Sequence, residues 1–151
     1  MTNKLTIAPG LTLIDTPTEC IKAIFYNPGT NPLFPVSAKD ERGVFYALDY
    51  ANIRPHLVEI IHSRPHVVRG NHIHEHCTET LTVLSGSLDA YLLCNCPEEH
   101  LLKRHMDAGA TVEISPGIAH AVHTSEETEI TAVFGDGDPR EDRERVVLIT
   151  N

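Results

Sequence analysis

Proline and glycine interrupt this chain so often that little room is left for a helix. Turn signals fall at Pro9-Gly10, Pro28-Gly29, Asn31-Pro32, Gly43, Gly70, Gly86, Pro97, Gly109, Pro116-Gly117 and Gly135 to Gly137. Proline fixes φ and removes a backbone donor, and glycine reaches conformations that side chains forbid, so both end regular elements. Between them lie short runs of apolar and β-branched residues: Leu11 to Ile14, Ile21 to Tyr26, Val44 to Leu48, Leu57 to Ile61, Thr80 to Leu84, Leu88 to Leu93, Thr111 to Ile114, Ala119 to His123, Ile130 to Phe134 and Val146 to Thr150. Their spacing is close to the roughly 8–12 residues of a sandwich or barrel and predicts an all-β domain. Two stretches resist a strand reading. Pro97 to His105 is expected to hold a short helical turn, and Asp136 to Arg145, which alternates in sign, is expected to be a solvated loop.

The chain has 151 residues, the size of one domain spanning 1–151, and can bury a core without disulfides or metal. An apolar fraction of 41% with 22% charged residues excludes a disordered or collagen-like chain. No apolar run approaches the roughly 20 residues that cross a bilayer, and Met1 to Leu13 lacks a basic-then-apolar leader pattern. A cytoplasmic protein with no membrane contact is expected. Twenty-one acids against 12 bases give a formal charge of −9, which argues against nucleic acid as a partner. A small-molecule substrate is not excluded, because one local arginine can hold an anion. The four cysteines, Cys20, Cys77, Cys94 and Cys96, form no dense framework and are expected to be reduced.

Ten histidines stand out, several of them between His56 and His76. In Arg69-Gly70-Asn71-His72-Ile73-His74-Glu75-His76-Cys77-Thr78-Glu79, His72 and His74 are two apart and share one face of a strand. Glu79, across a short turn, can face the same space, and Ser115-Pro116-Gly117-Ile118-Ala119 is a turn that can deliver His120. Three imidazoles and one carboxylate suit one first-row divalent ion, with zinc, iron, nickel and manganese all admissible. His76 shares the parity of the pair and is the alternative ligand to Glu79. Paired surface histidines are the ordinary alternative to a site. Cys94-Asn95-Cys96 lacks the further cysteines of a tetrahedral thiolate shell.

His72-Ile73-His74, then Glu79 and Gly86, resembles the first signature of the cupin superfamily, and Gly109, Pro116-Gly117 and His120 resemble the second. The chain departs from it in two ways: His66 stands where the first signature has a glycine, and the second signature is Pro-Gly-x-x-His without its closing Asn. The resemblance covers about residues 57–134. It implies a double-stranded β-helix, or jelly roll, with a metal at the barrel mouth held by His72, His74, Glu79 and His120, and two chains paired as a homodimer.

A narrower resemblance runs through Asp40-Glu41-Arg42-Gly43-Val44-Phe45, Ser63-Arg64-Pro65 and Arg69-Gly70-Asn71-His72-Ile73-His74. These are similar to cupins that act on nucleotide sugars, among them 3,5-epimerases, 3,4-ketoisomerases and the metal-binding domain of capsular polysaccharide reductases. It implies a base at His72, although a second histidine such as His74 is unusual in the epimerases and points to the metal-binding branch. Arg69 is a candidate clamp for a substrate phosphate or carboxylate, with a surface ion pair as the alternative. Glu59 and His62 have opposite parities on one strand, so only one can face the cavity as a candidate general base, and the resemblance to sugar epimerases, in the alternation with Ile61 and Ser63, favours Glu59. Tyr46 and Tyr91 are candidate proton donors near the mouth, Tyr91 also a substrate contact, with packing as the alternative.

The function these residues imply is a metal-dependent isomerase or epimerase acting on a nucleotide-linked keto sugar. The same ligands would serve a non-haem iron dioxygenase acting on a small organic acid or diketone. A non-enzymatic module binding a small molecule or a metal is the third reading, since one fold hosts many functions.

Overall fold

The computed structural model describes residues 4–15, 22–27, 36–46, 55–95 and 98–151. In chain order the strands are β1 (Thr6–Ile7), β2 (Leu13–Ile14), β3 (Ala23–Tyr26), β4 (Val36–Asp40), β5 (Gly43–Tyr46), β6 (Pro55–Ser63), β7 (Val67–Ile73), β8 (Thr78–Ser85), β9 (Ser87–Cys94), β10 (His100–Asp107), β11 (Thr111–Ile114), β12 (His120–Thr124), β13 (Thr128–Gly135), β14 (Glu144–Arg145) and β15 (Ile149–Thr150). Among the described residues there is no helix. One sheet has the order β14-β7-β12-β9-β10-β2 and the other β3-β11-β8-β13-β6. From β6 onward the chain passes repeatedly between the sheets, which makes a jelly roll. Among the described residues all pairings are antiparallel except β2 with β10.

Strict alternation explains why these segments are strands. In β8, Leu81 and Val83 enter the core between the sheets while Thr80 and Thr82 point away from it. Glu79 has the same parity as Leu81, so an acid occupies a core-facing position at the strand's end. Phe134, Leu92, Leu102, Met106, Val112 and Ile130 complete that core from neighbouring strands. Burying each side chain of this size is worth about 1.5–3 kcal/mol, which makes the layer the main source of stability. A second, smaller core covers the other face of the six-stranded sheet, where Tyr91, Leu101 and Ala121 meet Leu148 and Ile149. The β1–β15 ribbon, paired Thr6↔Thr150 and Ile7↔Ile149, lies beside it.

Two expectations are corrected. His100–Asp107 is a strand and not a helical turn, paired with β9 along its whole length. Its polar residues disguised it, yet they are cross-strand partners: Lys103 and His105 meet Asp89 at 3.8 and 2.8 Å. Arg104 lays its guanidinium over the Phe25 ring, 5.2 Å from the centroid. The segment 136–145 is not merely a solvated loop either. It returns along β7, with Glu144↔Ile73 and Arg145↔His72 in register. Cys20 and Cys96 lie outside the described residues. Cys77 and Cys94 are both buried.

Candidate metal centre and adjoining cleft

The four side chains proposed as ligands do converge. His72 comes from β7, His74 from just beyond it, Glu79 from the start of β8 and His120 from the first position of β12, directly opposite His72. Local structure delivers them. Gly70 and Asn71 both have positive φ, +84° and +53°, and make a bulge in β7 opposite the His120/Ala121 step. A Cβ at Gly70 would stand 2.9 Å from the His120 carbonyl oxygen, so only glycine lets β7 approach β12 this closely. The Pro116-Gly117 turn is tied down where Gly117 N–H donates to the His74 carbonyl at 2.7 Å. That bond joins the two motifs.

The donor atoms crowd around one point. His120 Nε2 is 2.7 Å, His74 Nε2 3.3 Å and His72 Nε2 3.8 Å from Glu79 Oε2, and the Nε2 atoms of His72 and His120 are 3.1 Å apart. A tetrahedral shell with bonds of about 2.0–2.1 Å places its donors roughly 3.3 Å apart, in the middle of this range. Side-chain exposure is 2% for His74, 4% for His120 and 7% for Glu79, against 15% for His72, so His72 is the edge open to solvent.

Hydrogen bonding fixes which atoms carry protons. His120 Nδ1 is 3.0 Å from the Ile118 carbonyl, and His74 Nδ1 contacts the Asp142 carbonyl. A carbonyl only accepts, so both rings carry hydrogen on Nδ1, and their neutral forms aim Nε2 lone pairs at a carboxylate. Buried His74 Nε2 and Glu79 Oε2 have no hydrogen-bond partner. Acceptors facing acceptors in a buried space require a cation between them, either a proton or a metal ion. The donor set fits a first-row divalent ion. The charges agree with this arrangement. Burial works against an ionised Glu79, yet the three histidines hold its carboxyl well below the usual range. Burial also pushes His72 down towards the neutral form. At His120 burial opposes protonation, but Glu79 outweighs it and raises the pKa, with Arg143 working against the charge.

A cleft of about 450 Å³ adjoins the cluster, lined by Glu59, Ile61, Arg69, His72, Arg143 and Arg145 among others. Glu59 faces it and His62 points out, paired with Glu129 at 3.0 Å, as parity required. Arg69 lines it as expected, but part of its guanidinium is engaged by the protein: Nε–H donates to Ser63 Oγ at 2.7 Å and Nη2 to the His62 carbonyl at 3.4 Å. Tyr91 is a correction. It is 3% exposed in the second core, on the opposite face of its sheet, and does not line the cleft. Burial pushes its phenol up to about 12, with Asp89 and Asp15 adding to the effect. His76 is exposed on the turn, so Glu79 joins the histidines and His76 does not.

Three residues escaped the sequence reading. Arg143 and Arg145 bring two more guanidinium groups to the cleft, and Asp142 grips the turn between His74 and Glu79. The two arginines did leave a signal, since residues two apart share a face once that segment is extended.

No model of a known protein family matches the chain, and a search of curated proteins finds no match. Solved structures do match. One is a sugar 3,4-ketoisomerase double mutant from Thermoanaerobacterium thermosaccharolyticum in complex with TDP, with TM-score 0.66 and 19% identity over 84% of this chain and 89% of that one. Another is a 3'-monoepimerase from Streptomyces bikiniensis in complex with dTDP-quinovose, with TM-score 0.68 and 15% identity over 86% and 72%. A third, a dTDP-6-deoxy-D-glucose-3,5-epimerase from Legionella pneumophila in complex with dTDP-4-keto-L-rhamnose, gives TM-score 0.65 and 17% identity over 94% and 77%. At such identities the likeness defines the fold: a cupin-type double-stranded β-helix, as the two histidine motifs implied.

Proposed function

We propose that this chain is a metal-dependent isomerase or epimerase acting on a keto sugar linked to a nucleoside diphosphate. The observation that carries the reading is that His72, the open edge of the three-histidine, one-glutamate cluster, lines the same cleft as Glu59 and three arginines. The cleft volume lies in the range of roughly 300–1,000 Å³ usual for small-molecule sites. The fold neighbours are enzymes of nucleotide sugars, which supports the substrate class.

His72, His74, Glu79 and His120 would hold one divalent ion, which supplies Lewis acidity to a carbonyl oxygen. Glu59, half-buried on the cleft wall, accepts the proton from the carbon next to the carbonyl. The electron pair of that C–H bond moves towards the carbonyl oxygen. Return of a proton to the other face gives an epimer; its return to the former carbonyl carbon, while the neighbouring hydroxyl gives up its proton and the former carbonyl oxygen takes one, gives the isomeric ketone. Arg143 and Arg145, with what remains free of Arg69, hold the negatively charged part of the substrate through charge-assisted hydrogen bonds.

The test is incubation of metal-loaded protein with TDP-4-keto-6-deoxyglucose in deuterium oxide, followed by proton NMR. Loss of the signal from a C–H next to the carbonyl, abolished by Glu59→Gln and by stripping the metal, is the expected result. If no C–H exchanges faster than in buffer with zinc, iron, nickel or manganese bound, the isomerase reading fails.

A further inference from the structure

Asp142 touches four consecutive residues of the turn that separates two of the ligands. Its Oδ1 accepts the Glu75 N–H at 2.9 Å, and its Oδ2 accepts the N–H groups of His76 and Cys77, each at 2.8 Å. Its backbone carbonyl accepts Nδ1–H of His74. Successive N–H groups converging on one point make an anion-binding concavity, here filled by a carboxylate of the same chain. The turn is thereby held from His74 to Cys77, two residues short of Glu79.

Asp142 is itself anchored on both sides. The N–H groups of Glu141 and Asp142 donate to the Asp138 carbonyl, each at 3.1 Å, and Asp138 is gripped by Arg140 at 2.6 Å. Downstream, Glu144 and Arg145 pair with Ile73 and His72, and Val146 N–H donates to the Asn71 carbonyl at 2.9 Å. From Asp142 to Val146 the segment therefore runs back along residues 71–77. The ring of His74 can adopt no other tautomer while this bond exists, and the position of Glu79 relative to His74 follows from the turn's shape.

We propose that Asp142 is the positioning residue of the centre, setting through the 75–77 turn the separation of His74 and Glu79 and hence the affinity for a metal ion. This rests on the metal-binding reading given above. Groups that orient ligands in this way typically change metal affinity 10–100-fold when removed.

The test uses the full chain. Cobalt(II) is titrated into wild type, Asp142→Asn and Asp136→Asn while the visible absorption bands are recorded, and zinc affinity is measured by competition with a chelator. Asp136 joins the same returning segment to β8, accepting from Thr78 Oγ1 at 3.1 Å, but makes no hydrogen bond to residues 74–77. The expected result is a 10–100-fold loss of zinc affinity in Asp142→Asn together with displaced cobalt bands, and a change within about 2-fold in Asp136→Asn. Wild type that binds neither ion would overturn the metal reading itself. Wild type that binds while Asp142→Asn binds equally well, with unchanged bands, would overturn the positioning role alone. Equal losses in both variants would reduce Asp142 to general support of the segment and also overturn it. Should Asp142→Asn not fold, amide exchange in wild type decides: zinc is expected to slow exchange at Glu75, His76 and Cys77 at least 10-fold, and unchanged exchange there would overturn the proposal.

Discussion

Arg69 donates its Nε–H to the hydroxyl oxygen of Ser63 at 2.7 Å, joining β7 to β6 along one wall of the cleft. Ser63 is buried and the bond is part-buried, so Ser63→Ala leaves a guanidinium N–H without its protein partner. A loss of about 1–2 kcal/mol in urea unfolding is expected, in the range of hydrogen bonds to charged groups. An unchanged midpoint would mean that water replaces the hydroxyl without cost.

Glu79→Gln should weaken zinc affinity at least ~10-fold in a chelator competition, since it removes the only anion among the four donors. His76→Ala should leave the affinity within about 2-fold, because its ring is exposed on the turn and not in the cluster. The reverse ranking would exchange the two residues' roles.

Gly86 and Gly117 provide a matched pair. Both have positive φ, +75° and +83°, but a Cβ at Gly86 would lie 2.3 Å from the Glu127 carbonyl oxygen whereas one at Gly117 meets nothing within 4 Å. Gly117→Ala should cost the backbone strain alone, about 1 kcal/mol, and Gly86→Ala at least about 2 kcal/mol more by thermal unfolding. Equal costs would show that the β8–β9 turn relaxes freely.

Cys77 should resist thiol reagents. It is 1% exposed, and burial, aided by the carboxylate of Asp142, pushes its thiol up to about 11. At pH 8 only about one thiol in a thousand is then the reactive thiolate. Alkylation followed by peptide mapping should find Cys77 modified in urea and untouched in the native protein, whereas fast native labelling would contradict the burial.

His105 lies between Asp89 and Asp107, at 2.8 and 3.2 Å, and the hydrogen bond to Asp89 is the main cause of its raised pKa. A folded-state pKa above the unfolded value of about 6.5 gives stability that is fully present below that value and is lost as pH rises through the folded one. The ring is 56% exposed, so solvent screening keeps the effect on the order of 0.5 kcal/mol. His105→Gln should therefore lower the unfolding free energy at pH 5.5 and leave it unchanged at pH 9.

Much of the centre could be read from local spacing. His72 and His74 share a face because strand parity requires it, and the Pro116-Gly117 turn brings His120 to them. The same parity requires that only one of Glu59 and His62 face the cleft, but the choice of Glu59 rests on the resemblance to sugar epimerases. What could not be read depends on contacts distant in sequence. Asp142 acts on residues 65 to 67 positions away, through hydrogen bonds that leave no local pattern. Tyr91 was misplaced because both faces of its sheet are buried, one by the opposite sheet and one by the chain's first and last strands, so an apolar pattern cannot tell which face meets the cleft. β10 was missed because charged side chains on its outer face pair with Asp89, a compensation visible only once β9 lies beside it.

The bulge at Gly70 and Asn71 has a consequence for how the site can vary. Arg69 and His72 are three residues apart, an odd interval that in a regular strand would put them on opposite faces, yet both line the cleft. The extra residue resets the strand's phase between them, and Asn71 secures it by accepting the N–H groups of Leu148 and Ile149 at 2.9 and 3.2 Å. The spacing of this stretch is therefore held more tightly than the identity of any one member. Excising a single residue there would turn either the anion grip or the imidazoles outward, an all-or-none loss, whereas most point changes would degrade the site by degrees.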